Sequence, residues 1–387
     1  MSAAVRFSNR LPDDLSPNRF AVALAERRAS GASILDLTVS NPTAVGLPTP
    51  LVVVAGESDN LYAPYALGTP AARQAVSAYY AQRGIAAAPD RIFLTASTSE
   101  AYVHLFRLLA DAEDNFLVPQ PSYPLFEPLA HLEAVRLKPY PLRLSAEGRW
   151  RPDLAALRRA VDDRTRGVLV VHPNNPTGSL WPSDHWADLS SICAERRLAV
   201  LADEVFGDFV YEETALPTLA GDGDALTFVL GGLSKSCGTP HAKLAWTLVG
   251  GPEDRVAAVM QRLEWIGDAF LSVSAAAQAA LPRLLGERHT YLAATRARVL
   301  ANRDALAESL GGREWRTLPI EGGWTGMIRL PPGADEERTA MRLLEAGVLV
   351  QPGYFFDVPE GGFLAVSLIV APTVFAAGAR VIASFAA

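Results

Sequence analysis

Short apolar runs alternate with amphipathic stretches through the middle of the chain. Six runs have the composition of buried strands, at 92–95, 115–118, 167–171, 199–202, 228–230 and 246–249. Helical periodicity lies between them, at 99–109, 125–131, 154–160 and 183–196. Strands that alternate with helices predict a mostly parallel α/β sheet with crossover connections.

The two ends of the chain have a different pattern. A helix is expected over 13–30, and a long helical region runs from 253 to about 306. Strands are expected at 325–330, 348–350 and 363–369, with helices at 335–346 and at the C-terminus. We therefore expect an N-terminal segment (1–45) that joins a small C-terminal domain (286–387), with a large domain (46–285) between them.

Composition narrows the classes of protein that this chain could belong to. Its 387 residues are 49% hydrophobic and 20% charged with a net charge of −7, which is ordinary for a soluble globular protein and unfavourable for binding nucleic acid. The N-terminus lacks the apolar segment of a signal peptide, and no apolar stretch is long enough to span a membrane. With only two cysteines, a reducing, cytoplasmic location is expected.

Polar side chains follow several of the predicted strands. In α/β sheets, ligands bind beyond the carboxyl ends of the strands. Ser97, Thr98 and Ser99 stand where a helix begins, and they could form an anion cradle or simply cap the helix. Asn175 lies in the turn "HPNNPTG", which could bind a ligand or serve only as a turn.

An aspartate and a lysine stand at the ends of two further strands. Asp203 directly ends an apolar run, where a buried carboxylate needs a cationic partner unless it caps a helix. Lys235 follows the pair Gly231 and Gly232, and it is either a solvated charge or a nucleophile. A lysine, a carboxylate, an amide and an anion cradle together match what pyridoxal phosphate requires. No metal is expected.

Eight motifs occur along the chain in an order that resembles a known family. They are "YAPYALGTPAARQAVSAYY", "TASTSEAY", "VPQPSYPLFEPLAHLEA", "HPNNPTG", "ADEVF", "SKS", "SVSAAAQAAL" and "VQPGYFF". The chain resembles the class I/II aminotransferases, the fold-type-I family of pyridoxal-phosphate enzymes. The resemblance implies a large domain with a mostly parallel seven-stranded sheet flanked by helices. It also implies a small α/β domain built from both chain ends.

The resemblance assigns catalytic roles residue by residue. Lys235 would be the Schiff-base lysine and would move the proton at the substrate Cα. Asp203 would keep the pyridine nitrogen protonated, Asn175 would donate to the 3′ oxygen, and Tyr123 would stack on the ring.

The resemblance also assigns the cofactor phosphate and a partner subunit. The phosphate would be held by Ser97, Thr98, Ser99, Ser234 and Lys243, with lysine at Lys243 where the family has arginine. Tyr62 would reach the phosphate in the partner subunit of a homodimer with shared active sites, and Tyr65 is the alternative.

Two other departures from the family concern the ring and the substrate. Phe206 replaces a tyrosine that donates to the 3′ oxygen, and Ala365 stands where an arginine would hold the substrate α-carboxylate. Either another arginine, such as Arg19 or Arg329 or one from the partner subunit, binds that group, or the substrate lacks it. In the second case an apolar pocket could be lined by Phe355, Phe356, Trp324 and Trp265, each of which could equally be a core residue.

The expected function is amino-group transfer between an amino donor and a 2-oxo acid acceptor, with an atypical substrate pocket. The same cofactor would also support a lyase, a cyclase or an oxidase, because the pocket selects the bond that breaks. A protein that binds the cofactor without catalysis is the remaining alternative. No nucleic-acid or membrane partner is expected.

Overall fold

The computed structural model describes residues 7–52, 63–211, 218 and 223–386. The α-helices in these ranges are α1 Arg19–Ala29, α2 Pro70–Ala81, α3 Thr98–Leu109, α4 Phe126–Leu132, α5 Leu154–Ala160, α6 Ser183–Arg196, α7 Leu233–Ser236, α8 Glu253–Asp268, α9 Ala275–Glu287, α10 His289–Leu310, α11 Glu336–Glu345 and α12 Pro372–Phe385. The strands are β1 Leu35–Asp36, β2 Ile92–Thr95, β3 Asn115–Gln120, β4 Arg136–Leu144, β5 Trp150–Pro152, β6 Thr165–Val171, β7 Ala199–Asp203, β8 Thr227–Gly232, β9 Ala245–Gly250, β10 Arg316–Thr317, β11 Thr325–Arg329, β12 Val348–Leu349, β13 Gln351–Pro352 and β14 Phe363–Ser367.

The main sheet has the strand order β2-β9-β8-β7-β6-β3-β4-β5. The pairs from β8 to β4 are parallel, whereas β9 runs antiparallel to both of its neighbours. The seven strands from β2 to β4 confirm the predicted mostly parallel sheet. β5 adds an eighth strand at the edge through an antiparallel hairpin with β4.

Strand β4 was not predicted from the sequence, because Pro139 and Pro141 interrupt its apolar pattern. Both prolines pair with β3, outside the three residues of β4 that pair with β5. Proline is tolerated there, since its missing N–H would otherwise have to bond to a strand on the open side.

Helices cover both faces of the main sheet, and the alternation along β6 shows why. Leu169 and Val171 are buried on the side of α3 and α8, while Val168 and Val170 are buried on the side of α5 and α6. A strand buried on both faces is apolar throughout rather than alternating. Each such side chain contributes about 1.5–3 kcal/mol when fully buried.

A second sheet, of order β10-β11-β14-β13, is built from the C-terminal part of the chain. β1 near the N-terminus pairs with β12, so both ends of the described chain meet. The prediction of a helix over 13–30 was wrong about where the helix starts, since α1 begins at Arg19. The Asn18 side chain caps the helix there by accepting from the N–H of Ala21 at 2.8 Å. The proposed domain boundaries remain a prediction.

None of the helices in the described residues combines the length and the apolar composition needed to cross a membrane.

Candidate active site

A cavity of about 290 Å³ opens where the carboxyl ends of β6, β7 and β8 meet the start of α3. Each of these strands ends at a residue that lines it: Val171, Asp203 and Gly232. The full lining is Ser97, Thr98, Ser99, Tyr123, Val171, Asn175, Asp203, Val205, Phe206, Gly232, Ser234, Lys235, Pro240, Lys243 and Ala245.

Lys235 enters the cavity from the short helix α7, directly after β8. Its Nζ lies 4.7 Å from the centre of the Trp324 ring and 5.4 Å from that of Phe206. Burial lowers the pKa of Lys235 to about 8, although the nearby carboxylate of Asp203 opposes this shift. The amine is therefore far closer to its neutral, nucleophilic form at physiological pH than a surface lysine would be.

Asp203 occupies the buried end of β7. Its carboxylate accepts hydrogen bonds from the Tyr102 hydroxyl and from the N–H of Val205, each at 3.1 Å. Burial raises the pKa of Asp203 to about 6, and those two hydrogen bonds together with the charge of Lys235 limit the rise. A carboxylate in this position would gain from a cationic ligand group in the cavity, since the burial cost would then be offset.

The N-terminus of α3 forms one end of the cavity. Ser97 caps the helix by accepting from the N–H of Glu100 at 3.1 Å, and the Glu100 carboxylate accepts from the N–H of Ala96 at 2.6 Å. Thr98 and Ser99 open the first turn, where free N–H groups favour an anion. The cap satisfies only part of the helix end, so capping by Ser97 does not exclude anion binding there.

Two residues from the region after β8 line the cavity together with the start of α3. Ser234 lies in α7, and Lys243 supplies a positive charge. Lys243 has a φ of 50°, a left-handed conformation that is uncommon for a residue other than glycine and that concentrates at functional sites. Together with α3, these residues make this end of the cavity suited to a phosphate.

Asn175 and Tyr123 complete the walls. The Thr325 hydroxyl donates to the side-chain oxygen of Asn175 at 3.4 Å. Tyr123 is 39% exposed, and it packs edge-on against Phe126 with 5.9 Å between ring centres. Its ring therefore has one aromatic packing partner and an exposed part, and it lines the cavity.

The profile of the aminotransferase class I and II family matches residues 34–371. The chain belongs to this family. The chain is 28% identical over 262 residues to the glutamate-pyruvate aminotransferase AlaA of Escherichia coli. The matched region covers 66% of this chain and 64% of AlaA. This match therefore leaves more than a third of AlaA outside it.

Other members of the family match over a larger share of the chain. Alanine aminotransferase of Mycobacterium tuberculosis is 28% identical over 354 residues, covering 87% of this chain and 81% of the relative. The solved alanine aminotransferase of Pyrococcus furiosus superposes with a TM-score of 0.86 at 23% identity, over 95% of both chains. A Thermus thermophilus aspartate aminotransferase variant gives a TM-score of 0.85 at 23% identity, over 98% of this chain and 100% of that one. These structures establish the fold-type-I architecture.

Ten of the eleven residues that the sequence assigned to the site line this one cavity. The roles that the family resemblance gives to them remain predictions. Tyr62 lies outside the described residues. Tyr65, its alternative, is 47% exposed and lines a different hollow beside Trp265.

Neither the position where the family has its carboxylate-binding arginine nor the two alternative arginines of this chain line the cavity. Ala365 is fully buried in β14, opposite Met327, within an apolar cluster. Arg19 and Arg329 are both exposed, and Arg329 stands at the end of β11 far from Thr325. Neither arginine lines the cavity.

The four aromatic candidates for an apolar pocket separate in the structure. Trp324 contacts Lys235, whereas Phe356 is buried in the apolar cluster of Ala365 and Phe355 is partly buried at its edge. Trp265 is 79% exposed on α8. Of these four residues, Trp324 is thus the one beside the Lys235 amine.

Sequence reasoning missed Tyr102, which donates to Asp203. Its position one turn inside α3 follows the apolar periodicity of a core residue. The signal that could have found it is a buried hydroxyl on the helix that begins at the anion cradle, since a buried tyrosine hydroxyl needs a partner.

Proposed function

We propose that this protein transfers an amino group between an amino donor and a 2-oxo acid acceptor, with pyridoxal 5′-phosphate as its cofactor. The observation that carries the proposal is the placement of Lys235 in one cavity with Asp203 and with the N-terminus of α3. When bound, this cofactor supplies an electron sink that stabilises a carbanion at the substrate Cα.

The residues of the cavity would then have distinct tasks. The Asp203 carboxylate would keep the ring nitrogen of the cofactor protonated. The protonated nitrogen would in turn be the cationic partner that offsets the cost of burying the Asp203 carboxylate. Lys235, with a pKa lowered to about 8, would bind the cofactor covalently and later remove and return the proton at the substrate Cα. Tyr123 would stack on the ring and fix its tilt.

The oxygen atoms of the cofactor would be held by the other walls. The start of α3, with Ser234 and Lys243, would bind the phosphate. Asn175 would donate to the 3′ oxygen, whereas Phe206, which also lines the cavity, has no hydrogen-bond donor in its side chain. One hydrogen bond to that oxygen, instead of two, should raise the affinity of the 3′ oxygen for protons.

The substrate pocket would be unusual for this family. Ala365 lies in an apolar cluster at the position where the resemblance places a carboxylate-binding arginine. A carboxylate that lacks charge-assisted hydrogen bonds loses about 1.5–3 kcal/mol for each. We infer a donor that lacks an α-carboxylate at this position, or one whose carboxylate is bound by neutral groups or by a partner subunit.

A second copy of the chain is the proposed partner. Tyr65, Trp265, Phe270 and Leu271 expose an apolar surface, with Trp265 79% exposed. A surface of this kind is typical of an interface, and we infer a homodimer with shared active sites. The two unpaired, buried cysteines fit a reducing, cytoplasmic compartment.

The first test follows the visible absorption of the protein saturated with pyridoxal 5′-phosphate. It is titrated with alanine, glutamate and tyrosine, and separately with their decarboxylated amines. We expect the bound cofactor to give an absorption band that an amino donor bleaches. Borohydride should fix the cofactor covalently to Lys235, as peptide mass spectrometry would show. The K235M variant should lack the fixed cofactor, whereas K138M, at a surface lysine paired with Asp162, should keep it.

Each result of this titration decides a separate part of the proposal. Bleaching by amino acids supports transfer from an α-amino acid, with the carboxylate bound elsewhere than at Ala365. Bleaching by amines alone supports a donor without that carboxylate. A parent protein that shows no cofactor on Lys235 would contradict the whole proposal.

A further inference from the structure

Glu321 lies in the turn that leads into β11, and two arginines surround its carboxylate. Arg149 donates to it at 2.7 Å, and Arg151 donates through two nitrogens at 2.8 and 2.9 Å. The N–H of Leu180 adds a fourth hydrogen bond at 3.2 Å. The Glu321 side chain is only 9% exposed, so water screens these bonds weakly.

The backbone of the same turn is bonded to the loop that carries Asn175. The N–H groups of Glu321 and Gly322 both donate to the carbonyl of Gly178, at 3.0 and 2.8 Å. Gly178 in turn donates to the carbonyl of Asn174 at 2.8 Å. The arginine pair therefore neutralises a carboxylate at the point where these two segments touch.

Both segments continue to the surroundings of Lys235. Asn175 lines the same cavity as Lys235, and the centre of the Trp324 ring lies 4.7 Å from the Lys235 Nζ. Thr325, the residue after Trp324, closes the connection by donating to Asn175. A displacement of one segment relative to the other would change the position of Asn175 and of the Trp324 ring together.

We propose that Glu321 is a positioning residue, whose ion pair with Arg149 and Arg151 fixes the distance between the Asn175 loop and the segment that carries Trp324. The inference rests on the proposed function, because the positions of these two segments matter only if Lys235 and a bound cofactor react beside them. Positioning of this kind is effective when the supporting side chains are themselves held by hydrogen bonds.

The charge of Glu321 is essential to this role. Burial alone raises the pKa of Glu321, but the hydrogen bonds from Arg151 and from the N–H of Leu180 outweigh burial and hold the pKa below its ordinary value. The carboxylate is thus ionised at neutral pH. A neutral amide of the same shape would leave two guanidinium groups facing a weak acceptor, and the two segments would separate.

The test compares E321Q with D114N. Asp114 accepts from Arg166 at 2.8 and 3.0 Å and is similarly buried, but it directly precedes β3, at the amino ends of the parallel strands, whereas the cavity lies at their carboxyl ends. For each variant the dissociation constant of pyridoxal 5′-phosphate, the visible circular dichroism of the bound cofactor, kcat/KM and Tm are measured. The circular dichroism reports the tilt of the ring, which a loss of stability alone does not move.

We expect both variants to lower Tm by comparable amounts. E321Q should change the circular dichroism, weaken cofactor binding and lower kcat/KM by roughly 10- to 100-fold, since small misplacements at a distance have such effects. D114N should keep the parental spectrum and a kcat/KM within about twofold of the parent.

Three results would overturn the inference. An E321Q variant with the parental spectrum and kcat/KM would do so, leaving the proposed function intact. Equal losses in D114N would show that lower stability is the cause. A parent protein that binds no pyridoxal 5′-phosphate would end both proposals.

The variant R149Q serves if E321Q does not fold. It removes the hydrogen bond from Arg149 to Glu321 and keeps the two from Arg151. R149Q should show the same change in the circular dichroism at smaller size, and a parental spectrum would count against the role of Glu321.

Discussion

Two ionisable side chains in the cavity have pKa values that burial moves towards neutrality. That of Lys235 falls to about 8 and that of Asp203 rises to about 6. In both cases the folded protein disfavours the charged form, because the cavity solvates a charge less well than water does. Groups with opposed shifts of this kind are suited to acid–base chemistry near physiological pH. They also destabilise the protein when it lacks a ligand.

The K235M variant should reveal this cost in the cofactor-free protein. The folded pKa of Lys235 lies below its ordinary value, so the cost is fully present below about pH 8 and disappears as the pH rises towards the unfolded value near 10.5. We expect K235M to raise the free energy of unfolding by about 1–3 kcal/mol at pH 7 and by progressively less above pH 8. Denaturant unfolding at several pH values measures this.

The surface lysine Lys138 provides the control. Its ammonium group donates to Asp162 at 2.7 Å in an exposed position, so K138M removes no buried charge. It should produce no gain at any pH. A K235M protein that is no more stable than the parent at pH 7 would show that water solvates the amine fully.

At the scale of elements, the loop before α6 and the turn before β11 contact each other through glycines. A Cβ on Gly322 would lie 2.5 Å from the Pro173 side chain and 2.7 Å from the carbonyl oxygen of Phe209. A Cβ on Gly178, which has a φ of 64°, would lie 2.7 Å from Ile320. Only residues without side chains allow the two segments to approach so closely.

We expect G322A to lower the free energy of unfolding by about 1–3 kcal/mol, because an added methyl group in this contact forces the backbone to shift.

The variant G286A is the control for G322A. Gly286 lies in α9 with no atom within 4 Å of an added Cβ, and alanine there should stabilise the helix by about 0.5–1 kcal/mol. Thermal unfolding separates the two, and a G322A protein as stable as the parent would show that the contact is loose.

At the scale of the whole molecule, an apolar surface joins α8 to the segment that precedes α2. Trp265, Phe270 and Tyr65 are 79%, 49% and 47% exposed there. Arg73 and Arg262 line hollows beside Trp265, so the apolar side chains have polar neighbours. Such a surface on an isolated chain favours association with a second copy.

The variant W265K tests this association. A lysine in place of Trp265 would have to lose its hydration at the interface, so the dimer should dissociate at concentrations where the parent is dimeric. Light scattering after size exclusion measures the mass. V22K, at an exposed valine on α1, should leave the dimer intact. A parent that is monomeric at every concentration would contradict the proposed dimer.

Much of the site was predictable because strand ends are local features of the sequence. The runs that became β6, β7 and β8 are apolar throughout, and the polar residue that follows each one had to lie at the same edge of the sheet. The prediction failed where the sequence signal was weak. β4 carries two prolines, and the start of α1 depends on the cap at Asn18.

The sequence by itself determined the alternation of strands and helices, the motifs of the family, and the loops that bring Lys235, Asp203 and Asn175 to one edge. These follow from periodicity and chain order, which are read over a few residues at a time. Only the tertiary structure decided that Tyr102 donates to Asp203, that Trp324 covers Lys235, and that Glu321 joins two segments. Those contacts link residues as far as 172 positions apart, and nothing local in the chain fixes which buried side chains will meet.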